Sequence, residues 1–284
     1  MSRSWVGGVA LAAALVAGSN ALPQEAPPSA PPQRIVSINV CADQLLLALA
    51  DPGQIASLSN RASDPELSYL ADRAADFPHE AFNAESVVGL QPDLILAGRL
   101  TRLATREMLG RLGYEVVLLN SIRSVDAGIE QIREVAALVG HPERGEALIA
   151  DINAAVAEAA ALPPTGATVA AYQRRGYLVG TNSLITDLLA RVGLTNAADG
   201  FTAVTGGYVR LEEIVAGAPD YLVVAAVDTT PGDQGMALLA HPALERLYPD
   251  EQRIVLPDRL TSCAGPALPE AIRHLVAEAR RIRQ

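Results

Sequence analysis

Residues 85–96 read Glu85-Ser-Val-Val-Gly-Leu-Gln-Pro92-Asp93-Leu-Ile-Leu96, and residues 212–223 read Glu212-Glu-Ile-Val-Ala-Gly-Ala-Pro219-Asp220-Tyr-Leu-Val223. In each copy a proline follows the glutamate by seven residues, an aspartate comes next, and an apolar run closes the segment. One or two helical turns that stop before a proline, a Pro-Asp turn and a short strand are therefore written twice in the same order. A plan repeated at this length implies two equivalent lobes.

Working outward, Ile35-Val36-Ser37-Ile38 is a short apolar run before Asn39, and residues 43–50 carry leucines at helical spacing. Further strands are predicted at 55–58, 93–97 and 114–119, with a helix at 102–112 stopped by Gly113. Strands that alternate with helices imply a parallel sheet, because parallel neighbours need crossovers. Residues 125–140 place Ile129, Ile132, Val135, Ala136 and Val139 on one helical stripe. Pro142 then opens a second helix that reaches Leu162 before Pro163-Pro164 end it. A helix of about 20 residues spans roughly 30 Å, the width of a small lobe, and this one reads as a strut between the halves. Beyond it the alternation resumes, with strands at 168–172, 221–225 and 253–256 and helices at 184–192, 235–239 and 269–283. The expected fold is α/β: two lobes, each with a mainly parallel sheet flanked by helices, joined by one long helix. The first lobe is expected at 34–140, the connecting helix at 141–163 and the second lobe at 164–284.

The N-terminus reads as an export signal. Arg3 precedes an apolar run over residues 6–18, too short for a membrane span, and Ser19-Asn20-Ala21 supplies the small residues of a cleavage site near Ala21. Residues 1–21 are the expected signal peptide and 22–33 a Pro-rich disordered leader. Cleavage would release a soluble protein into the periplasm. The chain carries a net charge of −10, which disfavours nucleic acid as a partner. It contains no lysine, so all 22 of its basic side chains are guanidinium groups suited to bidentate carboxylate contacts.

Arg34-Ile-Val-Ser-Ile and both Glu-x-x-Val-x-x-x-Pro-Asp segments resemble the periplasmic proteins that bind iron siderophores, haem or vitamin B12 for ABC importers. That resemblance covers nearly the whole mature chain. It implies two α/β lobes on one long helix, a ligand held in the cleft between them, no enzymatic activity and no resident cofactor. It also implies a glutamate on each lobe, here Glu85 and Glu212, that docks into arginine pockets of a membrane permease driven by its ATPase. The partner set is then the permease and a small-molecule metal complex, with the binding protein acting as a monomer.

Ligand contacts in such a fold come from loops at the carboxyl ends of the strands. Those loops supply Asn39, Cys41, Arg61 and Arg99 from the first lobe. The second lobe supplies Arg174, Arg175, Tyr177, Tyr208, Arg259 and Cys263, together with Tyr172 at a strand end. Arginines edging the cleft of an acidic protein favour an anionic siderophore, which stands first, ahead of a corrinoid and then haem. The tyrosines suit stacking or haem-iron ligation, whereas the one tryptophan, Trp5, lies in the signal. In an oxidising compartment Cys41 and Cys263 could form a disulfide, stay unpaired and buried, or offer two soft metal ligands. His79, His141, His241 and His274 are scattered, which disfavours a metal bound directly by the protein. Two rival readings remain: an α/β enzyme, although no Gly-x-Ser-x-Gly, P-loop or Gly-x-Gly-x-x-Gly occurs, and a sensor partner that presents ligand to a receptor.

Overall fold

In the computed structural model, residues 30–80, 83–100, 102–225 and 238–284 are described. The signal peptide lies outside them, as do most of the leader and the start of the helix expected at 235–239. The first lobe runs β1 (Ile35–Ser37), α1 (Val40–Leu49), β2 (Ile55–Ser59), α2 (Ala71–Ala74), β3 (His79–Glu80), α3 (Ala84–Gly89), β4 (Leu94–Gly98), α4 (Leu103–Arg111), β5 (Val116–Leu119) and α5 (Val125–Leu138). After α6 (Pro142–Ala160) the second lobe runs β6 (Thr168–Gln173), β7 (Tyr177–Leu178), α7 (Leu184–Arg191), β8 (Thr195–Asn196), β9 (Gly207–Tyr208), α8 (Leu211–Gly217), β10 (Tyr221–Val224), α9 (Pro242–Leu247), β11 (Arg253–Val255), α10 (Asp258–Thr261) and α11 (Leu268–Ile282).

The two sheets repeat one plan. In the first lobe the strand order is β3-β2-β1-β4-β5, parallel throughout. In the second, β8-β6-β10-β11 are parallel neighbours in the corresponding order. The second lobe adds an antiparallel ladder: β7 pairs with the end of β6, and β9 pairs with β7. Local spacing did not announce that ladder, because its strands are two residues long.

The duplicated Pro-Asp has a physical role in each copy. Asp93 accepts the backbone N–H groups of Gln33 (2.6 Å) and Arg34 (2.9 Å), at the start of β1. Asp220 accepts the N–H (2.7 Å) and hydroxyl (2.8 Å) of Thr168, at the start of β6. Each aspartate thus clips its own strand to the neighbouring central strand. The residue before each proline, Gln91 (φ 48) and Ala218 (φ 43), is left-handed in both copies. That conformation costs a non-glycine residue about 1–2 kcal/mol, so the turn is held by what surrounds it.

The clip also corrects the leader boundary, since the chain is already packed by residue 31. The Pro32 carbonyl accepts from Gln54 Nε2 at 2.8 Å, and the Gln33 N–H is held by Asp93. From residue 31 to the end the protein is one compact unit. The largest apolar cluster passes from Leu45 and Leu96 in the first lobe, through Ile149, Ile152 and Ala155 of α6, to Val223 and Leu275 in the second, and each lobe adds a smaller cluster of its own. Gly145 makes this possible: a Cβ there would lie 2.6 Å from the Cβ of Ala136, so α6 can cross α5 only without one. On its other side α6 is tied to α11, where Arg273 pairs with Asp151 (2.6 Å) and Glu158 (3.1 Å).

The bonds from Thr168 hold the Asp220 carboxyl below its ordinary pKa. A depressed carboxylate contributes stability above its unfolded pKa and loses it as pH falls through the folded value. Asp220→Ala is therefore expected to lower unfolding free energy by about 1–2 kcal/mol at pH 7, with the deficit shrinking below about pH 4; urea melts at both pH values measure it.

Candidate functional site

The carboxyl ends of β1, β4 and β5 open toward the second lobe, and their loops build a cleft. Its lining includes Asn39, Cys41, Gly98, Arg99, Leu100, Asn120, Ser121 and Gln131 from the first lobe and Ser262, Cys263 and Ala264 from the second. The volume is about 150 Å³. Cys41 and Cys263 are joined by a disulfide across the lobes, with Cα atoms 5.2 Å apart and a sequence separation of 222. Of the three fates open to these cysteines, pairing is the one adopted.

Local sequence places each group. Asn39 is the N-cap of α1, and its Oδ1 accepts from the N–H of Cys41 (3.0 Å) and Ala42 (3.2 Å), which points Cys41 at the cleft. Arg99, at the end of β4, donates from Nε to Asn120 Oδ1 at 2.7 Å, while Gln131 Nε2 of α5 donates to the Asn120 carbonyl at 3.3 Å. Asn120, Ser121 and Gln131 were not singled out from the sequence, whereas Ser262 lies in the loop 259–263 that was. For Asn120 and Ser121 the signal existed, since they follow a predicted strand just as Asn39 and Arg99 do. Gln131 looked like an ordinary polar position on a helix.

Other expected ligand residues lie elsewhere. Tyr172 is a correction: its ring is fully buried in the second lobe and its hydroxyl donates to the Val209 carbonyl at 3.2 Å. Burial, then Glu212 and Glu213, pushes its phenol up to about 12. It is a core residue because β6 is covered on both faces, and the face that Tyr172 shares with Ala170 packs against Leu222 and Val224. Arg61 is exposed and faces Asp64 at 3.6 Å. Arg174 and Arg175 form the turn out of β6, Arg175 with φ 61, and Arg259 is exposed on α10. Neither these four arginines nor Tyr177 and Tyr208 belong to the lining around the disulfide. The two tyrosines do come together across the β7–β9 pair, edge to face with centroids 5.6 Å apart, and Tyr208 is 72 % exposed. Leu100 on the first lobe is 83 % exposed. Glu85 and Glu212 occupy the second position of α3 and α8, both exposed and without a hydrogen bond or ion pair among the described residues.

A larger hollow of about 870 Å³ lies at the opposite end of the second-lobe sheet, bordered by Thr165, Ala218, Asp220, Tyr248 and Arg283. Sheets of this type bind ligands at the carboxyl ends of their strands, so the smaller inter-lobe cleft is the stronger candidate.

Residues 35–248 match the periplasmic binding protein family. The chain belongs to that family. A "Cobalamin-binding protein" of Halobacterium salinarum is 30 % identical over 220 residues, which are 75 % of this chain and 58 % of that relative's length. Among solved structures, the apo periplasmic haem-binding protein RhuT of Roseiflexus sp. RS-1 superposes with a TM-score of 0.71 at 24 % identity, covering 89 % of this chain and 99 % of that one. The vitamin B12 binding protein BtuF of Vibrio cholerae superposes with a TM-score of 0.68 at 15 % identity, covering 89 % and 99 %. These relatives are binding proteins, and at such identities the superpositions establish the two-lobed fold.

Behind the cleft sits a buried carboxylate, Asp43 of α1. It accepts the Ser59 N–H at 2.9 Å and the Ser59 hydroxyl. Burial raises its pKa to about 6, against the lowering effect of Ser37, Ser59 and His79. The native state therefore keeps a proton that the unfolded chain releases, and stability from this group falls as pH rises from about 4 to about 6. Asp43→Asn does not titrate. Its unfolding free energy relative to the parent should improve by up to roughly 3 kcal/mol between pH 4 and pH 7; a constant difference across that range would disprove the assignment.

Proposed function

We propose that this protein is the periplasmic capture component of an ABC importer and that its ligand is a corrinoid. The carrying observation is the cleft that strand-end loops of the first lobe form with the turn after α10 of the second, crossed at its floor by Cys41–Cys263. A floor of about 150 Å³ takes an edge or arm of a large ligand. Its ring is left to the exposed apolar groups at the strand ends, Leu100 in the first lobe and Tyr208 in the second.

The sequence placed a siderophore first because five arginines stood at strand ends. Of Arg61, Arg99, Arg174, Arg175 and Arg259, only Arg99 lines the cleft floor, so the cationic set that would favour an anionic chelate is not gathered there. A polar floor with Asn120, Ser121 and Gln131 suits amide-bearing arms instead. The similarity to a cobalamin-binding relative supports the same choice. Haem is the second reading, favoured by the exposed phenol of Tyr208, a residue type able to ligate ferric iron.

Delivery follows from Glu85 and Glu212. Each lies in the first turn of the repeated helix, exposed, one per lobe. Two carboxylates carried on a stiff frame register a partner that bears two arginine sites, in the manner of charge-assisted pairing. The protein then works as a periplasmic monomer that hands its ligand to a permease and its ATPase.

A ligand that binds only the native state raises the melting temperature by mass action. Cobalamin at about 100 times its Kd should raise Tm by roughly 5 °C or more, with haemin and a ferric catecholate giving less; a larger shift with the catecholate would restore the siderophore. Glu85→Arg with Glu212→Arg should abolish uptake by cells while Kd for cobalamin stays within about twofold of the parent. A changed Kd would show that these residues serve the cleft instead.

A further inference from the structure

The lobes do not need a covalent tie to remain together. One core runs through both. The Val125 N–H donates to Asp187 at 2.9 Å, Arg191 pairs with Asp126 at 3.1 Å, and the Tyr69 hydroxyl donates to Glu270 at 2.8 Å. Gly128 brings α5 so close to the second lobe that an added Cβ would lie 3.1 Å from the Ala264 Cβ and 3.2 Å from Leu268. The disulfide crosses this same boundary at the cleft floor, where both cysteines belong to the lining. Cys41 is partly exposed, while Cys263 is buried.

Cys41 stands in the first turn of the ten-residue α1, capped by Asn39, at the end of the helix where the aligned peptide dipoles stabilise negative charge on a departing sulfur. The guanidinium of Arg99 lies on the same lining. A cysteine so placed is a good leaving group in thiol exchange.

We propose that Cys41–Cys263 is a thiol-exchange site whose redox state sets how firmly the cleft holds its ligand, an inference that rests on reading the cleft as the ligand site. The reagent is a dithiol, as a protein dithiol oxidoreductase carries. One of its thiolates attacks the accessible Cys41 sulfur, the S–S bond breaks, and Cys263 departs with the electron pair and takes a proton from water. The second thiol, once deprotonated, attacks the reagent's own sulfur in the mixed disulfide and displaces Cys41 as a thiolate. Once the Cys41 thiolate takes up a proton from solvent and the reagent leaves as a disulfide, the protein has gained two electrons and two protons; a disulfide reagent reverses the sequence. With the bond open, Cys41 on one lobe and Ser262-Cys263-Ala264 on the other are no longer held in register. The ties at Val125, Arg191 and Tyr69 persist, so the floor loosens while the lobes stay joined. A cleft that must be ordered on binding holds its ligand less tightly.

The test compares oxidised protein, protein reduced with dithiothreitol, and a Cys41→Ser/Cys263→Ser double variant. Without ligand, hydrogen exchange at the Cys41, Ala42 and Ser262 amides should quicken by about tenfold on reduction, while the Val125 amide keeps its protection. Unchanged exchange overturns the proposal, and so does a loss of protection everywhere, which would make the bond a global staple. With cobalamin as probe, Kd should rise about tenfold on reduction, and the double variant should show the weaker value with or without reductant. Equal Kd values in both redox states overturn the proposal. Failure of the oxidised protein to bind cobalamin at all counts against the corrinoid assignment, and the ligand-free exchange measurement then decides the redox question alone.

Discussion

The packing of α6 against α5 and α11 is the constraint on which the rest of the molecule depends. Two sheets of similar plan could each fold around a private core and hang on a linker. Here Ile149, Ile152, Ala155 and Ala159 place one apolar stripe of α6 into a core shared by both lobes. Because interiors are close-packed, lobes that share a core cannot move far apart without opening cavities. The helix is about 28 Å long, so it sets the spacing of the lobes as well as joining them.

Within that frame the repeated Pro-Asp turn does the same work twice. Asp93 and Asp220 fasten the first residues of β1 and β6, the central strand of each sheet. The carboxyl end of β1, opposite the Asp93 clip, carries Asn39 and Cys41 of the cleft, so fixing one end of that strand helps to fix the aim of the other. The same helix–turn–strand unit presents Glu85 and Glu212 at matching positions. Sheet registration and the matched placement of these two exposed glutamates therefore use one structural element.

In and around the cleft, buried and exposed groups stand side by side. Asn39, Cys41 and Asp43 are held by the capped start of α1 and by Ser59, close to the shared core. Tyr208 and Leu100 stand out into solvent. Between the two kinds lies the Cys41–Cys263 bond, a covalent contact set where the two lobes face one another at the cleft.

Most of the fold was legible from one chain. The strands at 35, 55, 94, 116, 168, 221 and 253 and the long helices announce themselves through period 2, period 3.6 and proline or glycine stops. The duplicated turn reveals two equivalent lobes because repeats survive in linear order. Positions near strand ends could be named, and Asn39, Cys41, Arg99 and Cys263 do meet at one floor. What linear order does not carry is whether a strand is covered on both faces: Tyr172 on the central strand β6 is buried where Tyr208 on the edge strand β9 stands in solvent. Nor does it carry contact across 222 residues, the separation of the two cysteines. The sequence by itself determined the two-lobed α/β plan and the strut, since these follow from local periodicity. Tertiary structure alone decided the disulfide, the dispersal of the arginines and the makeup of the cleft floor, since those depend on how distant segments meet once the shared core has closed.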